Sequence, residues 1–124
     1  MGDVKSKPAN EAKPASEKAP AFTVSQDGSR VRQLLRPIEG HTAPLSAIKL
    51  RKPRYLEIMA YGDPCSLILM AGSALPHEDM DIVRKYLEAL SVDMSGEKID
   101  PTLLEQLDYV DALALKDAVT SFFK

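Results

Sequence analysis

The chain has 124 residues, 44% of them hydrophobic and 27% charged, which is the composition of one ordinary small globular domain with a tail. Its single cysteine excludes an intramolecular disulfide framework and a multi-cysteine zinc site. No apolar run approaches the roughly 18 residues of a membrane span, and no apolar signal segment opens the chain, so a cytoplasmic protein is expected.

Residues 1–29 balance Lys5, Lys7, Lys13 and Lys18 against Asp3, Glu11, Glu17 and Asp27, with Pro8, Pro14 and Pro20 set among Ala, Ser, Lys and Glu. So little apolar surface cannot offset an ordering cost of roughly 1–2 kcal/mol per residue, and this stretch is predicted to be a disordered tail. Phe22 and Val24 are its candidates for a short docking motif; an inert solvated tail is the simpler reading.

Residues 30–54 then carry seven basic side chains (Arg30, Arg32, Arg36, Lys49, Arg51, Lys52 and Arg54) against Glu39 alone. Residues 55–124 reverse the sign, with five basic and thirteen acidic side chains. Within the basic part, Val31–Ile38 and Leu45–Leu50 flank a turn signal from Glu39 to Pro44, which reads as a β-hairpin within residues 30–52. Pro37 lacks a donor and suits a strand edge or end. Two strands are marginal alone, so the hairpin must pack on the acidic half, and opposite charge can orient that docking.

Residues 53–124 read as helices. Pro53 suits the first turn of a helix that runs through Tyr55, Leu56, Ile58 and Met59 and stops at Gly62. Cys65–Ala71 is almost wholly apolar; periodicity fits either a buried helix or a buried strand, and a helix ending at Gly72 is the expectation. Pro76–Leu90 is predicted helical, with Met80, Val83, Leu87 and Leu90 on one face, widened by Ile82 and Tyr86. Acidic Glu78, Asp79 and Asp81 complement its dipole. A polar loop spans Ser91–Lys98. Asp100-Pro101 starts a short helix with Leu103, Leu104 and Leu107, and Asp108 caps a last helix with the stripe Ala112, Leu115, Val119, Phe122. The fold class is α+β: an N-terminal β-hairpin, then a small helical bundle, over residues 30–124.

Chemistry is sparse. Cys65 and His77 are the one conceivable thiol–imidazole pair, and a buried structural cysteine is the commoner case. His41 and His77 are isolated, without metal-ligand spacing. No P-loop or Gly-x-Gly-x-x-Gly pattern is present, so no cofactor is expected. Asp108 and Asp111 read better as a cap and a first-turn acid than as a paired acid site. The expectation is a protein that is not an enzyme. The basic segment can neutralise phosphates, which leaves a small nucleic-acid-binding or regulatory adaptor as the alternative reading. The acidic total and the lack of aromatic platforms there favour a protein-facing role.

Four pieces in order carry a resemblance: Leu35-Arg36-Pro37-Ile38; Leu45 through Arg51-Lys52-Pro53-Arg54; Tyr86-Leu87-Glu88-Ala89-Leu90-Ser91; and Leu104-x-x-Leu107-Asp108-x-x-Asp111, continuing through Leu115 and Val119 to Phe122. With them, residues 30–124 resemble the Mu-like tail assembly chaperones of contractile-tailed phages and prophages. The resemblance implies a non-catalytic protein that binds the tape measure protein, a long helical chain, keeps it soluble, and promotes tail tube assembly around it, with the tail tube protein as a further partner. No membrane partner is expected, since no apolar run is long enough to span one, and nucleic acid is the less favoured partner. A helical client calls for an apolar groove. Leu67, Ile68, Leu69 and Met70 are the candidates for that surface, with Arg51 and Arg54 as charged partners; a role in the core is the simpler reading for the four apolar residues.

Overall fold

The computed structural model describes residues 21–124, so the disorder expected for residues 1–20 lies outside the described residues. The basic segment forms the expected hairpin: β2 (Arg30–Ile38) runs antiparallel to β3 (Leu45–Leu50). Two short strands extend it into a sheet of order β1-β2-β3-β6, with β1 (Thr23–Val24) beside β2 and β6 (Ser91–Val92) beside β3.

The tail expectation is corrected for residues 21–29. Thr23 and Val24 pair with Val31 and Arg30. A tight turn returns the chain, with the Ser25 N–H donating to Ser29 O at 2.8 Å and the Gly28 N–H to Ser25 O at 2.9 Å. Phe22 packs against the core. The open edge of β2 supplies the hydrogen bonds that composition alone could not reveal.

The β2–β3 ladder is regular from Arg30↔Leu50 to Gln33↔Ala47 and resumes only at Ile38↔Leu45. Residues 34–37 therefore bulge out of register around Pro37, which has no N–H to give. The register also fixes which way the arginines point. Arg30 and Arg32 lie opposite Leu50 and Ile48, and both of those are fully buried. Cross-strand partners share a face, so the two arginines face inward.

The helices are α1 (Tyr55–Tyr61), α2 (Met80–Leu90), a 3-10 helix (Pro101–Gln106) and α3 (Tyr109–Ser121). Asp79 caps α2, accepting from Asp81 N at 3.0 Å and Ile82 N at 3.3 Å; Asp108 caps α3, accepting from Val110 N at 3.1 Å. Asp100 caps the 3-10 helix, and the hydrogen bond from His41 lowers its carboxyl to about 2. The cap signals at Asp100 and Asp108 thus locate two element starts, while Asp79, expected inside a first turn, is itself the cap of α2. Pro53 stands just ahead of α1, where the Glu57 carboxylate accepts from the Arg54 N–H at 2.9 Å.

The core joins Ile38, Ile48 and Leu50 of the sheet to Val83, Tyr86 and Leu90 of α2 and Leu115, Ala118 and Val119 of α3. Tyr86 sits at its centre, edge-on to Tyr61 at 5.2 Å and tilted against Phe123 at 5.1 Å. Its hydroxyl donates to Gly62 O at 2.6 Å, which ties the end of α1 to α2. Two expected stripes shift. Met80 is exposed, and Tyr86 takes the central place on α2; Ala112 is exposed, and Asp111, Ala114 and Ala118 join Leu115 and Val119 on the buried face of α3.

Three further readings are corrected. Cys65–Met70 is not a helix but strand β4, paired with β5 (Ser73–Glu78) in a separate two-stranded sheet. The helix expected from Pro76 therefore begins only at Met80. Ser91 and Val92, read as loop, are buried and form β6. The architecture is α+β, with a second hairpin in place of one helix.

Candidate functional site

Among the described residues, the β4–β5 hairpin is a projecting element with exposed apolar side chains on both strands. It pairs in register from Cys65↔Glu78 to Met70↔Ser73 and closes through Ala71-Gly72, with φ of 50° and 82°. Positive φ at both central positions is the type I′ geometry whose twist matches that of paired strands, and glycine at the second position adopts it at no steric cost. Alternation places Leu67, Leu69, Ala74 and Pro76 on one face, and Ile68, Met70 and Leu75 on the other.

Both faces are in solvent: Leu69 is 80% exposed, Leu67 66%, Met70 57%, Leu75 48% and Ile68 42%. No Asp, Glu, Lys or Arg occurs between Asp63 and Glu78. A soluble monomer rarely leaves such a continuous apolar patch uncovered, and patches of this kind mark interaction sites. Leu67, Ile68, Leu69 and Met70 are thus neither core nor the wall of a helical groove; they stand on a projecting strand. An apolar cleft of about 300 Å³ lies elsewhere, between α2, the 3-10 helix and the start of α3, lined by Leu87, Leu104 and Leu107.

The base of the hairpin is fixed. Glu78 accepts from Lys116 of α3 at 2.9 Å and from Lys124 at 3.1 Å, and the Asp79 N–H donates to Pro64 O at 2.8 Å. The hydrogen bonds from Lys116 and Lys124 hold the Glu78 carboxyl below the usual glutamate range. The hairpin is anchored at one end and presented at the other.

Arg51 and Arg54 part company. Arg51 clasps Glu57 of α1 with both Nη atoms and reaches Ala89 O of α2 at 3.3 Å. That contact raises the Arg51 guanidinium and lowers the Glu57 carboxyl. Arg51 is a strut between elements, while Arg54 stays exposed at the head of α1. Beside them α1 displays Tyr55, Leu56 and Met59 to solvent.

Most of the basic segment is consumed internally. Arg30 donates to Ser121 Oγ at 2.9 Å and lies over the Phe122 ring at 4.3 Å; Arg32 bonds Asp111; Arg36 approaches Asp108 at 3.9 Å and Lys49 approaches Asp27 at 3.9 Å. The charge asymmetry orients the docking of sheet on helix, as opposite charge can.

Asp111 is the residue whose importance the sequence reading missed. It is fully buried and accepts from Arg32 Nε at 3.1 Å and Nη2 at 2.9 Å, and from the Leu35 N–H at 3.0 Å. Those contacts repair the irregular stretch of β2. The signal in the sequence was an acid on the inward face of a helix, three residues past its cap.

Cys65 and His77 fall on opposite faces of the hairpin, opposite Glu78 and Ser66 respectively. Burial, reinforced by Asp63, pushes the Cys65 thiol up. Among the described residues no group of three His, Cys, Asp or Glu side chains is placed to hold a metal ion, and no helix is long and apolar enough to cross a membrane. No protein-family model, no curated protein and no solved structure matches the chain.

Proposed function

We propose that this protein is a non-catalytic assembly chaperone of the phage tail, which binds the tape measure protein in the host cytoplasm and promotes tail tube assembly around it. The observation that carries a protein-binding role is the uncharged hairpin at residues 65–77, apolar on both faces and exposed. The identity of the client rests on the resemblance of residues 30–124. A long helical client exposes apolar stripes before it is enclosed, and a transient cover for them needs adaptable Leu and Met side chains. Leu67, Ile68, Leu69 and Met70 provide these, with exposed Arg54 at the head of the neighbouring helix.

The test is co-purification. The tagged full chain is co-expressed with the long helical protein encoded just downstream, and the eluate is assayed for that protein and for nucleic acid. A complex that survives high salt and lacks nucleic acid supports the proposal, because apolar contacts do not depend on counterion release. Nucleic acid alone, released by moderate salt, would overturn it in favour of the adaptor reading.

A further inference from the structure

The two edges of the β4–β5 hairpin are not equivalent. In a hairpin closed by a two-residue turn, the flanking pair exchanges both hydrogen bonds, and such pairs alternate with pairs whose N–H and C=O groups point outward. Met70↔Ser73, Ile68↔Leu75 and Ser66↔His77 are therefore the bonded pairs. The Asp79 N–H to Pro64 O bond at 2.8 Å continues the same series. Residues 65, 67 and 69 of β4, and 74, 76 and 78 of β5, direct their backbone groups to the outer edges.

On β5 that edge is blunted. Pro76 stands at an outward position and has no N–H, and Glu78 is held by Lys116 and Lys124. On β4 the first outward donor, Cys65 N, is satisfied by Asp63 Oδ1 at 2.7 Å. Leu67 and Leu69 lie beyond it, both exposed, on an edge with no proline, charge or bulge to protect it. Natural proteins guard such edges, and an unguarded one is a template for a further strand.

We infer that this edge pairs with the β4 edge of a second copy of the chain, in antiparallel register about a twofold axis through Ile68. Leu67 then exchanges hydrogen bonds with Leu69 of the other copy, and Leu69 with Leu67. An identical strand fits because the same two residues supply both halves of the exchange, as an isologous contact requires. Neither strand brings a charge to the contact. Pairing turns two marginal two-stranded hairpins into one four-stranded sheet with an apolar layer on each face. This inference does not depend on the identity of the client.

Proline scanning of the full chain tests it. The wild type should sediment at twice the monomer mass. Leu69→Pro removes an outward donor from the pairing edge and should give a monomer. Ala74→Pro, directly across the hairpin, removes one from the blunted edge at the same local cost and should remain a dimer. Circular dichroism confirms that both variants fold. Independently, Ile68→Cys in a Cys65→Ser background should oxidise to a covalent dimer, since residues at the axis approach to about 4.5 Å between Cα atoms; Leu75→Cys in the same background should not. A monomeric wild type, a dimer indifferent to Leu69→Pro, or equal cross-linking at residue 75 would overturn the inference. A monomer that captures the client would refute the pairing alone, and a dimer that captures none would refute the chaperone reading alone.

Discussion

Arg32 and Asp111, 79 positions apart, form a buried ion pair in which Nε and Nη2 of the arginine both donate to one carboxylate oxygen, at 3.1 and 2.9 Å. The same carboxylate accepts the Leu35 N–H, so a single side chain of α3 neutralises the inward arginine and repairs the bulge of β2. Removing one partner of such a pair strands a charge in the core, at a cost of about 3–5 kcal/mol. Asp111→Ala should lose that much in urea denaturation, a large part of the 5–15 kcal/mol typical of a domain. Asp111→Asn keeps one acceptor and should lose less. A wild-type midpoint for Asp111→Ala would refute the assignment.

Acid should loosen the base of the hairpin and the seat of α1. The Glu78 and Glu57 carboxyls are lowered in the fold, by hydrogen bonds from Lys116 and from Arg51 respectively. The unfolded chain therefore binds protons first as pH falls. Stability from these groups is present above the ordinary glutamate value of about 4.5 and disappears as pH drops through the lowered folded values. Melting curves of the wild type and of Glu78→Gln should converge in that acidic window and separate near neutrality; curves separated by the same interval at every pH would contradict this.

The Ala71-Gly72 turn carries a correctable cost. Ala71 holds φ of 50°, a region that asparagine tolerates better than alanine, and Asn-Gly is the favoured type I′ pair. Ala71→Asn should slow amide exchange across residues 66–70 and 73–77 and leave the main sheet unchanged. Gly72→Ala should accelerate it.

Leu69→Asp separates folding from binding. The side chain is 80% exposed, so the substitution should shift stability by no more than about 0.5 kcal/mol. Capture of the long helical client should nevertheless be lost. A folded variant that still co-purifies with client at the wild-type level would remove the hairpin from the binding site.

What the sequence disclosed follows from the range of the interactions involved. The first hairpin and the starts of the 3-10 helix and α3 were legible because turn and cap chemistry is local: Asp100 and Asp108 each bond a backbone N–H two residues on. Asp79 caps α2 in the same way, but Pro76 offered an earlier start and placed that acid inside the helix. Cys65–Ala71 was ambiguous because an uninterrupted apolar run has no period to read. Its outcome depended on Ser73–Glu78, whose second half read as the first turn of the helix from Pro76. The roles of Arg32 and Asp111 were invisible because neither has meaning without the other. For Leu67, Ile68, Leu69 and Met70 a place in the core was the simpler reading because apolar composition points to burial, yet the strand that carries them stands in solvent.

The dependence of β2 on Asp111 also orders events during synthesis. The sheet strands at residues 30–50 leave the ribosome well before α3, yet the inward charge of Arg32 and the unpaired donors beside Pro37 find their acceptor only on that last helix. A nascent chain halted ahead of residue 111 would hold a hairpin with an unneutralised arginine on its inner face, unable to close its core. Closure of this core therefore waits until the helix that carries Asp111 has been synthesised, and the strands at residues 30–50 stay unpacked until it docks.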